Sequence, residues 1–288
     1  MVISASRRTD IPACYAGWFF KRIAAGYVMT RNPFRPSQVS RVSLSPRDVD
    51  CIVFWTKNPA PMMGKLKILE KSGFPFYFQF TLTPYGRQWE RNLPPKREIV
   101  ETFRRLSRSI GPERVVWRYD PVICTPELTP EWHLTQFEQL CSALKGCTQE
   151  CIFSFVDLYA KARRGSRGLG LSRVSGDKME QISAGFSRIA TRYGICLRTC
   201  CEKNRFLKYG IRDGACIDAE RIRAVTGRPL RLPKDRGQRP FCNCAASVDI
   251  GAYDTCRNGC VYCYATGSAK AAARHDPDSP LLTGEPPR

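Results

Sequence analysis

The chain has 288 residues, 43% of them hydrophobic, enough for a substantial buried core and too apolar for a disordered chain. Lys and Arg number 46 against 26 Asp and Glu; the resulting net charge of +20 is scattered and favours anionic partners such as nucleic acid or phosphorylated metabolites. No stretch approaches the roughly 20 apolar residues of a membrane span, and Met1–Arg8 lacks a basic segment followed by an apolar one, so a cytoplasmic protein with no membrane contact is expected.

In chain order, Val2–Ala5 reads as a strand and Tyr15–Ala25 as a helix. Cys51–Trp55 is a strand, Met62–Lys71 a helix, Phe76–Leu82 a strand rich in aromatics, and Lys96–Ser109 an amphipathic helix. Arg114–Arg118, Cys151–Val156 and Ile195–Thr199 read as strands, with helices at Pro130–Leu144 and Lys178–Tyr193 between them. This alternation implies an α/β fold with a parallel sheet, and its six units suit a full or partial (β/α) barrel. No GxGxxG or GxxxxGK[ST] loop supports a nucleotide-binding open sheet. The expected organisation is a barrel core over 1–204, a basic connecting segment over 205–240 with a helix at Asp218–Thr226, a Cys-rich segment over 241–266, and a frayed tail over 267–288.

Polar residues gather just after each predicted strand, where a parallel barrel builds its active site. Arg7, Arg8 and Asp10 follow the first, Lys57 and Asn58 the second, Arg118 and Asp120 the fourth, Asp157 the fifth and Glu202 the sixth. Arginines there can grip a carboxylate or phosphate bidentately; the competing reading is a set of salt bridges bracing the mouth. His133 lies mid-helix and reads as structural, and the aromatics of 74–80 read as core.

Fifteen cysteines, an odd number without a secretory signal, argue against a disulfide scaffold and for metal or redox chemistry. Two histidines, His133 and His275, argue against a His-rich zinc hydrolase or a His-based triad. Cys256, Cys260 and Cys263 form a CxxxCxxC motif. Three thiolates on one short turn can bind three irons of a [4Fe–4S] cubane and leave the fourth open to a ligand. Cys201, Cys216, Cys242 and Cys244 could form a second centre, an iron–sulfur cluster or a zinc site, or be ordinary reduced thiols. The other eight cysteines read as small core residues or idle thiols.

The CxxxCxxC motif resembles that of radical S-adenosylmethionine (SAM) enzymes, and Cys-Val-Tyr-Cys-Tyr-Ala over 260–265 is similar to spore photoproduct lyases and their relatives. That resemblance implies a [4Fe–4S] cluster, bound SAM, Tyr262 bordering the adenine, and an electron donor such as flavodoxin or ferredoxin. The whole of 1–266 resembles the domain-of-unknown-function 1848 proteins, through the strings at 4–12, 54–59, 78–81, 117–121 and 249–253. Two departures from the common radical SAM order stand out. The cluster loop lies near the carboxyl terminus, as in a circularly permuted barrel with Ala246–Gly251 beside Val2–Ala5, and no Gly-Gly-Glu string is present. The expected function is reductive cleavage of SAM to act on an unknown substrate, a small molecule or nucleic acid. The rivals are a nucleic-acid modification or repair enzyme with the same cluster, and a non-enzymatic zinc or iron–sulfur protein.

Overall fold

The computed structural model describes residues 1–239 and 241–285. Ten strands are present among them: β1 Val2–Ala5, β2 Tyr27–Arg31, β3 Val39–Ser43, β4 Cys51–Thr56, β5 Phe76–Thr81, β6 Val115–Val122, β7 Glu150–Phe155, β8 Cys196–Thr199, β9 Arg212–Asp213 and β10 Val248–Asp249. The helices are α1 Ile11–Cys14, α2 Ala16–Ala25, α3 Ala60–Met63, α4 Leu66–Lys71, α5 Lys96–Ile110, α6 Pro130–Ala143, α7 Ala160–Gly165, α8 Gly176–Arg192 and α9 Ala219–Thr226.

Eight strands make one parallel sheet in the order β10-β1-β4-β5-β6-β7-β8-β9, a mixed α/β architecture. Parallel sheets are stable when both faces are covered, which is why these strands read as near-continuous apolar runs. One face, through Ile3, Phe54, Phe78, Trp117 and Phe153, packs on the helices in the main core. Alternate residues Val2, Val53, Tyr77, Val116 and Ile152 point the other way, onto Cys216, Ile217 and Ile222.

That second cluster differs from expectation. The 205–240 segment is no mere connector: its α9 and the turn before it cover the second face of the sheet. Its hold is polar as well as apolar, since Tyr77 Oη and Gln79 Nε2 both donate to the Cys216 carbonyl, at 2.7 and 2.8 Å. The tail differs too. Met29 N donates to the Pro280 carbonyl, Trp18 Nε1 donates to the Ser279 carbonyl, and Leu281 and Leu282 are buried, so 267–285 packs against α2 and the β2–β3 hairpin. Residues 286–288 of that expected tail lie outside the described residues. The hairpin itself has no counterpart in the sequence reading, and the expected helix Met62–Lys71 is divided into α3 and α4 at Gly64.

Local signals set the helix ends. Thr129 caps α6 by accepting from Trp132 N, with Pro130 in the first turn, and Ser175 caps α8 through Lys178 N. The two helices meet through Phe137 and Phe186, stacked at 3.9 Å. His133 on α6 is fully buried, with Nδ1 2.8 Å from Tyr119 Oη and Nε2 2.7 Å from the Ile123 carbonyl. The neutral ring therefore accepts from the tyrosine and donates to the carbonyl, as the sequence reading of a structural histidine requires. Burial depresses its pKa from 6.5 to about 4, against a smaller opposing effect of the Ile123 carbonyl. Between those values the unfolded chain binds the extra proton, so stability rises with pH through this window. At 1.36 kcal/mol per unit, His133 alone is expected to withdraw about 3 kcal/mol as pH falls from 7 to 4. Urea midpoints of wild type and His133→Gln across that range measure it; parallel curves would refute it.

Candidate functional site

A cavity of about 390 Å³ opens at the carboxyl ends of the parallel strands, a size ordinary for small-ligand sites. It gathers Arg8 and Asp10 after β1, Lys57 after β4, Arg118 and Asp120 from β6, and Asp157 after β7. Cys256, Cys260, Tyr262 and Cys263 form one wall; Cys216, Cys242 and Cys244 form another. Glu202, Asn58 and Cys201 are not among its lining residues.

The wall of 256–263 is built from the sheet edge outward. Asp249 on β10 accepts from Ser4 Oγ and Ser6 Oγ, both at 2.6 Å, and from the backbone N–H groups of Arg7 and Gly251. It thereby ties the incoming chain to β1, with Ile3 and Ser4 opposite Val248 and Asp249. The loop then pairs with residues 89–92: Val261 N donates to the Trp89 carbonyl at 3.0 Å, Asn92 Nδ2 donates to the Arg257 carbonyl, and Glu90 and Cys260 form an antiparallel bridge. Gly259 makes the turn possible. Its φ is +68°, and a β-carbon there would sit 2.9 Å from Asn92 Nδ2. Gly259→Ala is expected to cost about 1–3 kcal/mol by chemical denaturation; an unchanged midpoint would contradict the tight turn.

Within this wall Asn258 Nδ2 donates to Asp10 Oδ2 at 2.8 Å. Asp10 also accepts from Lys57 N and from Ala13 N at the start of α1. Burial raises its pKa, partly offset by these donors. It thus joins the first strand end, the second and the cysteine loop. Cys263 Sγ accepts backbone N–H groups from Ala265 and Thr266, each at 3.3 Å, although burial keeps its pKa raised. Burial also pushes the Cys260 thiol well up. Cys256 is raised first by its hydrogen bond with Cys14, then by burial.

Glu90 is the charged centre behind the wall and was invisible in the sequence reading. Its side chain is almost wholly buried and binds Lys57 Nζ at 2.7 Å, Lys96 Nζ, Thr83 Oγ1 at 2.8 Å and Tyr262 Oη. Burial alone would raise its pKa, but the two ammonium groups outweigh burial and lower it to about 2. Lys57 is therefore paired, and its Nζ lies 5.6 Å from the Tyr262 ring centre. Tyr262 also packs edge-on to Tyr85 at 5.9 Å.

On the opposite side, buried Arg118 pairs with Asp120, which also accepts from Ser154 Oγ. The same guanidinium donates through Nη1 to Cys216 Sγ at 3.0 Å. Asp157 pairs with Arg239 at 2.7 Å, both well exposed, and Arg8 lies 5.3 Å from the Tyr253 ring centre. Asn58 spends its side-chain oxygen on Ala60 N at 3.2 Å. Burial raises the Glu202 carboxyl, against a smaller opposing effect of the Phe155 backbone.

All fifteen thiols are free, and among the described residues no three His, Cys, Asp or Glu side chains make a ready-formed metal-holding group. The family model described as "Domain of unknown function (DUF1848)" matches residues 2–265. The chain belongs to that family. The matched DUF1848 span takes in both cysteine walls and ends two residues after Cys263. No curated protein matches the chain. Among solved structures, a candidate alpha-L-fucosidase of Bacteroides thetaiotaomicron VPI-5482 is similar at 12% identity and a TM-score of 0.29, over 55% of this chain and 64% of that one, a likeness too slight to bear on activity. Among the described residues no helix is long and apolar enough to cross a membrane.

Proposed function

We propose that this DUF1848 chain is an iron–sulfur enzyme of radical SAM type, with Cys256, Cys260 and Cys263 as the ligands of a [4Fe–4S] cluster. The observation that carries the reading is that all three thiols of one loop line a single cavity at the carboxyl ends of a parallel sheet. The donor set fits the group: soft sulfur ligands, half-buried at the cavity wall, with two backbone N–H groups on Cys263 Sγ. Bound there, such a cluster supplies an electron and an open iron for reductive cleavage of SAM.

The chain's own part is orientation and exclusion of water. The Glu90 network fixes the Tyr262 ring and Lys57 beside the loop; on this reading Tyr262 would border the adenine. Arg8 supplies positive charge at the cavity for an anionic or carboxylate-bearing small molecule, while Arg118 is held by Asp120 and Cys216. The parallel neighbour relation of β10 and β1 supports a permuted partial barrel, in which the strand before the cluster loop comes first in space although late in the chain. The reducing partner is a small electron carrier such as flavodoxin or ferredoxin.

The test is anaerobic reconstitution with iron and sulfide, followed by dithionite and SAM. Formation of 5′-deoxyadenosine is expected. Iron bound with no nucleoside product would refute the SAM reading, and zinc without sulfide would refute the cluster as well. The +20 charge favours a nucleic-acid substrate as the second reading; product formation stimulated by DNA or RNA, and weakening steeply with salt, would establish it.

A further inference from the structure

Across the cavity from the CxxxCxxC loop, Cys200, Cys216, Cys242 and Cys244 share one wall and Cys201 adjoins Cys200, making a ring of five thiols. Cys200 Sγ is 3.7 Å from Cys216 Sγ. Cys200, which read from sequence as a small core residue or idle thiol, belongs to the ring, while Cys201 does not line the cavity.

Three separate segments are bent to deliver these sulfurs. Consecutive side chains on an extended strand point opposite ways, yet Cys200 and Cys201 both reach the ring. The chain manages this directly after β8 by entering the left-handed region at Cys201, Lys203 and Asn204, with φ of 62°, 56° and 53°. Non-glycine residues seldom adopt that conformation, and runs of it mark functional turns. Asp213 holds the turn by accepting from Glu202 N and Asn204 N. Cys216 is fixed by the two donors on its carbonyl, Tyr77 and Gln79. Cys244 is fixed by Ile217 N, which donates to its sulfur at 3.4 Å.

Three arginines approach the ring, each also paired with a carboxylate: Arg118 with Asp120, Arg239 with Asp157 and Arg7 with Asp235. Buried Arg118 donates to Cys216 Sγ, Arg239 Nη2 lies 3.9 Å from Cys200 Sγ, and Arg7 is close enough to feel Cys244 and Cys216. Apolar packing needs no such arrangement, because a thiol in a core is only a small hydrophobe and asks for no cation. Guanidinium and backbone N–H donors aimed at sulfur suit thiolate ligands, whose negative charge they offset. Zinc commonly takes a closed set of four ligands built on CxxC pairs. Here a Cys-Cys pair, a Cys-x-Cys pair and a single cysteine supply five thiols, four of them on the wall of a cavity.

We propose that Cys200, Cys201, Cys216, Cys242 and Cys244 form the binding site of a second iron–sulfur cluster, facing the first across the shared cavity. This site stands or falls separately from the reading of Cys256, Cys260 and Cys263. The test uses the full chain, reconstituted anaerobically with ferrous iron and sulfide, and counts iron, acid-labile sulfide and zinc. Wild type is expected to bind about eight irons, and the triple variant Cys256→Ala/Cys260→Ala/Cys263→Ala about four, with a matching sulfide count. Because that variant leaves the ring untouched, its residual iron reports on the ring alone. In the same variant, alkylation read peptide by peptide should spare the ring cysteines until iron is chelated. The double variant Cys216→Ser/Cys244→Ser should also fall to about four irons. A triple variant with no iron, or with one zinc and no sulfide, would overturn the second cluster. Iron undiminished in the triple variant would instead overturn the first and leave the second standing.

Discussion

Under the proposed reading, Cys260→Ala abolishes 5′-deoxyadenosine formation and removes about four irons per chain. The residue suits a clean experiment because its backbone, not its sulfur, carries the local fold. Cys260 bridges Glu90 through the main chain, Val261 N holds the Trp89 carbonyl, and Gly259 makes the turn before it. Removing one sulfur from a half-buried side chain there is a small loss of volume, expected to cost less than about 1.5 kcal/mol. An unchanged far-ultraviolet spectrum with lost iron and lost product would separate ligand loss from unfolding. Product at the wild-type rate would end the proposal. Cys14 supplies the companion test, since its thiol contacts Cys256 from the end of α1. It does not line the cavity. Cys14→Ala is therefore expected to keep both iron and product. Loss of iron in that variant would make Cys14 a fourth ligand and leave no open iron for SAM.

How far the chain announces all this depends on the range of the interactions involved. The strands β1, β4, β5 and β7 were legible because burial on both faces makes each a short apolar run, and α6 and α8 because caps and apolar spacing are local. The cysteine loop was legible because its three thiols lie within eight residues. Cys200 was not, since nothing adjacent to it reveals that a left-handed turn carries it to Cys216. Asp10 reads from sequence as a substrate group, but its carboxylate is used up on Lys57 N, Ala13 N and Asn258, the last 248 residues away. The Arg118–Asp120 and Asp157–Arg239 pairs follow the bracing alternative in their geometry while still lining the cavity. The tail was misread for a related reason: Leu281 and Leu282 are two apolar residues in a Pro-rich stretch, and only the groove beside α2 and the hairpin makes their burial worthwhile.

Glu90 is the clearest case of a residue without a sequence signal, and its removal carries the largest expected cost in stability. It lies in the turn after β5, between an indole and an arginine, with no motif around it. Its four side-chain partners come from residues 57, 83, 96 and 262. Truncation to alanine leaves Lys57, whose side chain is only 12% exposed, as a buried cation without a counterion. Breaking a buried pair from one side costs about 3–5 kcal/mol, because the remaining charge keeps its desolvation penalty. Lys96 is 27% exposed and can turn toward water, so it adds less to the loss. Glu90→Ala is accordingly expected to lower unfolding free energy by about 3–5 kcal/mol, and Glu90→Gln by less, since the amide oxygen can still accept from Lys57 and Tyr262. Lys57→Met in the Glu90→Ala background should recover part of the deficit by removing the stranded charge. That recovery is what a merely space-filling Glu90 would not produce. Denaturant midpoints of the three variants decide between the two accounts, and a Glu90→Ala midpoint within about 0.5 kcal/mol of wild type would mean that the buried network does not hold the cysteine loop in place.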